Sequence, residues 1–150
     1  MMKREAKKER RKSNGTQILD HTADTGIRCW APDPEGVFEK MALALTALMA
    51  DPVDISIKKE KEISVAADDI QSLLVEWLNK ILYLLEVEDF LFKDFKISEI
   101  DANKLKATGF GEMFSIDKHV IKQEIKACTY HLLEMKETPD GWFGQVILDI

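Results

Sequence analysis

"DDIQSLLVEWLNKILYLLE", residues 68–86, decides the fold class. Ile70, Leu73, Leu74, Trp77, Leu78, Ile81, Leu82 and Leu85 recur at helical spacing. They make an apolar stripe too wide for a surface helix, so this element is expected to be the most buried. Asp68, followed three residues later by Gln71, forms a capping-box pattern at its start. Upstream, "ISIKKEKEISVAA" (55–67) alternates, with Ile57, Ile63, Val65 and Ala67 on one side and charge on the other. That is a strand with one wet face. Before it, "APDPEGVFEKMALALTALMADP" (31–52) predicts another helix, with Asp33 as cap and Pro34 at the first helical position. Its apolar side is Val37, Phe38, Met41, Leu45 and Leu48, and Asp51-Pro52 closes it.

Downstream the pattern is all strand. "FLFKDFKISEI" (90–100) and "KLKATGFGEMF" (104–114) predict a hairpin turning at Asp101-Ala102-Asn103. "IKQEIKACTYHLLEMKE" (121–137) and "GWFGQVILDI" (141–150) predict a second, turning at Pro139-Asp140-Gly141. Residues 16–31 read as two strands broken at "TADTG". The sum is an α+β single domain, with two main helices packed on mostly antiparallel β-sheet.

With 150 residues, 45% of them hydrophobic, the chain can bury one substantial core. Its charge is uneven. Residues 1–12 hold seven Lys or Arg against two Glu, leaving 14 basic and 25 acidic residues beyond them, about −11. An acidic body excludes a broad nucleic-acid-binding face and suits a cationic partner or a metal. Residues 1–15 read as a basic, flexible tail and 16–150 as the domain. No stretch is apolar and long enough to span a bilayer, and the tail has no signal-peptide core. Cys29 and Cys128 fall inside strands without a pairing motif, which implies a reducing, cytoplasmic setting.

No catalytic signature accompanies the three histidines. "GFGE" (109–112) lacks the third glycine of a phosphate loop, so a bulge or close strand crossing explains it. Zinc held among Cys29, Cys128, His21, His119 and His131 matches no ligand spacing. By parity along 121–135, Glu124, Lys126, Cys128 and Tyr130 share one face, and Glu124 with Lys126 reads first as a cross-strand charge pair. Asp24 and Asp149 differ. Each sits at the mouth of an apolar strand, and Asp149 adjoins the α-carboxylate of Ile150. If the last strand lies beside residues 16–31, three carboxylates converge, an all-oxygen set for Ca²⁺ or Mg²⁺. The competing reading makes Asp24 a turn residue and Asp149–Ile150 a frayed end.

Five segments in order, "LDHTADTGIRCWA" (19–31), 68–86, "GFGE", "EIKACTYHLLE" (124–134) and "GWFGQVILDI", resemble the archease family from about Leu19 to Ile150. Thr25 and "IRCWAPDPEG" (27–36) depart from the usual family pattern. The resemblance implies a non-catalytic activator of an RtcB-type RNA ligase in tRNA splicing. That role promotes guanylylation and multiple turnover and broadens nucleotide use. It implies a divalent-cation site at Asp24, Asp149 and Ile150, with Ca²⁺ first and Mg²⁺ or Mn²⁺ as alternatives. It turns His21, Glu124 and Lys126 toward the ligase or its nucleotide, with RNA met only through the ligase. Rivals from other classes are a chaperone-like binding module and a metal-dependent phosphohydrolase.

Overall fold

The computed structural model describes residues 13–20 and 24–150. The expected basic tail lies largely outside the described residues, and Gly15 already opens the first strand. In chain order the elements are β1 (Gly15–Asp20), β2 (Asp24–Ala31), α1 (Pro34–Met49), a 3₁₀ turn (Pro52–Asp54) and β3 (Lys59–Ala66). Then follow α2 (Ile70–Glu88), β4 (Phe90–Ile100), β5 (Lys104–Met113), β6 (Ala127–Thr138) and β7 (Gly141–Asp149). Two antiparallel sheets result, one ordered β1-β2-β7-β6 and the other β3-β5-β4.

Both helices touch both sheets: α1 packs on β2 and β4, α2 on β6 and β3. Asp33 caps α1 as expected, its Oδ1 accepting from Gly36 N at 2.7 Å. The apolar side of α1 is buried at Val37, Phe38, Met41, Ala42 and Leu45. Trp77 of α2 is fully buried, donates from Nε1 to Phe38 O at 3.0 Å and meets Phe95 edge-on at 5.5 Å. One side chain thus ties α2 to α1 and to β4 while satisfying its own polar atom. Both expected hairpins form. At the first, Asp101 Oδ1 accepts from Asn103 N and Lys104 N, at 2.8 and 2.9 Å.

Four local expectations are corrected. Asp69, not Asp68, caps α2, accepting from Ser72 N at 2.7 Å. Gln71 does not close a capping box; its Nε2 reaches Met135 O on the edge strand β6 at 3.0 Å. A carbonyl of a neighbouring strand outcompetes the local partner. Ile57 lies outside β3 and is exposed, whereas Ile55 is buried with Leu91. The β1–β2 break is shorter than expected, because Asp24 through Gly26 already belong to β2.

The fourth concerns β6, which begins only at Ala127 and carries an irregularity. From Thr129 to Glu134 the chain takes five steps while β7 takes two, from Ile147 to Gln145. Three extra residues flip the alternation. Hence Cys128 and Met135, of opposite parity, are both buried, and Leu132 takes a left-handed φ of 52°.

"GFGE" is a close strand crossing, as expected. A Cβ at Gly109 would lie 2.2 Å from the Phe92 ring, and one at Gly111 1.9 Å from Leu91 O. The partner strand shifts register at the same level, between Phe92 and Asp94. Gly111→Ala should therefore destabilise the fold by about 3 kcal/mol, since backbone must move. Ser64→Ala on the exposed side of β3 should cost under about 0.5 kcal/mol. Urea unfolding of the two variants measures this; equal midpoints would contradict the crossing.

Candidate functional site

β2 and β7 pair antiparallel without interruption from Ala31 opposite Trp142 to Asp24 opposite Asp149. Directly paired residues share a face. Thr25, Ile27 and Cys29 therefore go with Leu148, Val146 and Gly144 toward the core. Asp24 and Asp149 go to the other face, along with Arg28 and Gln145, which bond at 2.7 Å. Asp149 also pairs with Ala127, and its carbonyl accepts from Lys126 N at 2.8 Å. The chain's two distant ends thus meet, with the start of β6 alongside.

Two carboxylates directly opposed across strands repel unless a positive charge stands between them. Asp24 adds a sharper demand, for its Oδ1 is buried without a hydrogen-bond partner. A buried charged oxygen lacking a donor is costly. A hard cation would meet both demands, and carboxylate with main-chain oxygen is the donor class it prefers. The residues present fit such an ion. Among the described residues no three His, Cys, Asp or Glu side chains group so that they could hold a metal ion, so an ion at this sheet end would rest on at most these two carboxylates and on main-chain oxygens. Main-chain oxygens, with those of Ile150 nearest in sequence, would complete the shell. His21 lies outside the described residues.

The zinc arrangement gains nothing. Cys29 and Cys128 are buried in the core. Burial pushes the Cys128 thiol up to about 12, so it stays protonated near neutral pH. His119 is held elsewhere in the molecule by Glu112.

Glu124 and Lys126 are exposed, but not on a strand. They belong to an irregular segment, residues 114–126, that carries the chain from β5 to β6. This corrects their placement as a cross-strand pair sharing a face with Cys128, which is buried while they are not. Both line a cleft of about 370 Å³ beside Met49, Leu82 and Leu85. The segment is fastened at intervals. Phe114 N donates to Asp89 O, Lys122 N to Met49 O and Lys126 N to Asp149 O. Just beyond it, Asn79 of α2 clasps the Cys128 main chain, accepting from N at 2.8 Å and donating to O at 3.1 Å.

Glu112 is the residue that motif reading missed. It is buried, and its Oε2 accepts from Ser56 N and Lys118 Nζ, each at 2.7 Å. His119 Nδ1 accepts from Ser115 N at 3.0 Å, so the ring proton sits on Nε2 and is donated to Glu112 Oε2, also at 3.0 Å. Lys58 Nζ lies 3.6 Å from the other oxygen. One carboxylate thereby fastens the start of the irregular segment to the 55–59 region. The signal was a lone acid ending an alternating strand, with Lys118 and His119 six and seven residues on.

Comparison with known proteins agrees with this architecture. The model of the archease protein family matches residues 17–150. The protein archease of Methanosarcina mazei is 38% identical over 138 residues, covering 89% of this chain and 94% of the relative. That of Pyrococcus furiosus is 40% identical over 135 residues, covering 87% and 95%. The solution structure of Methanobacterium thermoautotrophicum protein 1598 superposes with a TM-score of 0.79 at 32% identity, covering 91% of this chain and 99% of that one. An archease from Thermotoga maritima, described as a possible chaperone, superposes with a TM-score of 0.56 at 20% identity, covering 89% and 96%. At that identity the likeness is one of fold.

The Lys118 ammonium, then the Ser56 amide, hold the Glu112 carboxyl down at about 2, against the opposing effect of burial. Its folded value lies below its ordinary 4.5, so it stabilises the fold fully above that pH. The contribution is lost as pH falls through that window toward about 2. Glu112→Gln should flatten the acid limb of the stability curve. It should also speed amide exchange across residues 115–122, read by hydrogen–deuterium exchange. An unchanged acid limb with unchanged exchange would show that Glu112 fastens nothing.

Proposed function

This chain belongs to the archease family, and on that premise we propose that it activates an RtcB-type RNA ligase without catalysing the ligation itself. The ligase joins RNA ends bearing a 2′,3′-cyclic phosphate or 3′-phosphate to a 5′-hydroxyl. The activator promotes its guanylylation, hence multiple turnover, and widens the nucleotides it accepts. In this reading Asp24 and Asp149 hold a divalent cation together with oxygens of Ile150, Ca²⁺ being the first choice and Mg²⁺ or Mn²⁺ the alternatives. When bound, the ion supplies positive charge for phosphate oxygens.

The single observation that supports this reading most is the opposed pair itself, with Asp24 Oδ1 buried and lacking a donor. A structural aspartate at a strand end would turn to solvent or take a backbone amide. The chain's own residues contribute the rest. The Lys126 amide donates to the Asp149 carbonyl, which fixes the start of β6 beside the end of β7. Asn79 prevents the start of β6 from sliding. The acidic body beyond residue 12 favours encounter with a basic protein surface, and RNA is met through the ligase. We place this activity in the cytoplasm; no helix among the described residues is long and apolar enough to cross a membrane.

A chaperone-like role is the second reading. The description of the Thermotoga maritima relative favours it, as do Ile116 and Val120, 84% and 72% exposed on the irregular segment.

The test is ligation with ligase present at far below the RNA concentration. The full chain should convert a single burst into sustained turnover. Asp24→Ala should abolish that gain while far-ultraviolet circular dichroism and melting temperature stay near wild type. Equal kinetics with and without the protein would overturn the proposal, and suppressed aggregation of unrelated proteins with no effect on ligation would favour the chaperone.

A further inference from the structure

Both helices end at one place. Met49 closes α1, and Leu85, Glu86 and Asp89 lie at the end of α2. All four line the 370 Å³ cleft, whose far wall is the irregular segment from Phe114 to Lys126. The floor is apolar, with Leu82 and Ile125 buried beneath it. The rim is acidic: Glu86, Asp89 and Glu124 are exposed, and Lys126 is the one cation among the described lining residues.

The helices sharpen that sign. Each α-helix presents roughly half a negative charge at its C-terminus. Neither α1 nor α2 has a basic residue in its last turn to offset it. Two negative helix ends and three carboxylates therefore face a cavity with an aliphatic floor and the Phe114 ring in its wall. Such a site rejects anions and a purely apolar plug. It suits a side chain with an apolar stem and a cationic head. A guanidinium fits best, because it is planar, lies flat on an aromatic ring and donates to two carboxylates at once. The volume exceeds one side chain and leaves room for an apolar neighbour.

We infer that this cleft is a docking site for an arginine, flanked by aliphatic residues, on the surface of a partner protein. The inference deepens the activator reading by naming the chemistry the partner presents. It rests on that reading only for the partner's identity. The cleft's preference for a cation is tested without any ligase.

The experiment is a ¹H–¹⁵N titration of the full chain with acetyl-Leu-Arg-Leu-amide. Acetyl-Leu-citrulline-Leu-amide serves as the uncharged isostere and acetyl-Leu-Glu-Leu-amide as an anionic control. The arginine peptide should give saturable shifts confined to residues 82–89 and 114–126. The citrulline peptide should bind about fivefold more weakly and the glutamate peptide not measurably. The double variant Glu86→Gln, Asp89→Asn should lose about fivefold for the arginine peptide at unchanged melting temperature. Both residues are exposed, and Asn tolerates the left-handed backbone of position 89, where φ is 55°. Shifts elsewhere, no saturation, or equal binding of arginine and citrulline would overturn the assignment. A ligase that is not stimulated would refute the activator reading and leave this titration standing. Stimulation without arginine selectivity in the cleft would do the reverse.

Discussion

The antiparallel pairing of β2 with β7 is the constraint on which the rest depends. It runs through the middle of a four-stranded sheet and joins segments more than a hundred residues apart in sequence. Its inner face, with Ile27, Val146 and Leu148, closes the core against α1. Its outer face carries Asp24 and Asp149 to the same sheet end. Because a one-residue slip would exchange the two faces, the apolar pattern that builds the core also sets the carboxylates in opposition. Stability and site geometry are one register.

That pairing positions the remainder of the site through main-chain bonds rather than side-chain packing. The irregular segment 114–126 has no secondary structure of its own to define it. It is held by amides donating to Asp89, Met49 and Asp149, and by the buried Glu112 carboxylate at its base. Long irregular connections in compact domains usually carry function. Here one connection brings Glu124 and Lys126 to the cleft and, at its end, beside Asp149. A sheet end with two opposed aspartates and a fastened loop with an acid-rimmed cleft thus lie at neighbouring positions of the fold.

Much of this was legible in the residues. The stripe of α2, the capped α1 and both hairpin turns follow from periodicity and turn chemistry, and each forms where expected. The opposition of Asp24 and Asp149 needed one further assumption, that the last strand lies beside the first hairpin. Local patterns cannot supply strand order, because any apolar strand can pair with any other. Three extra residues in β6 defeated parity, since nothing in "TYHLL" marks an irregularity without glycine or proline. The partner of Gln71, Met135 O, lies on a distant strand that no local pattern marks. No motif marks Glu112, because its cluster with Ser56, Lys118 and His119 assembles only in three dimensions.

The divalent cation proposed at Asp24 and Asp149 would owe its seat to the β2–β7 register. Paramagnetic broadening by Mn²⁺, read on backbone amides of the ¹⁵N-labelled full chain, tests it most directly. Saturable broadening centred on residues 24, 126, 127 and 149, displaced by excess Ca²⁺ and lost in Asp149→Asn, is expected. Broadening centred on another part of the molecule, or surviving unchanged in that variant, would contradict it.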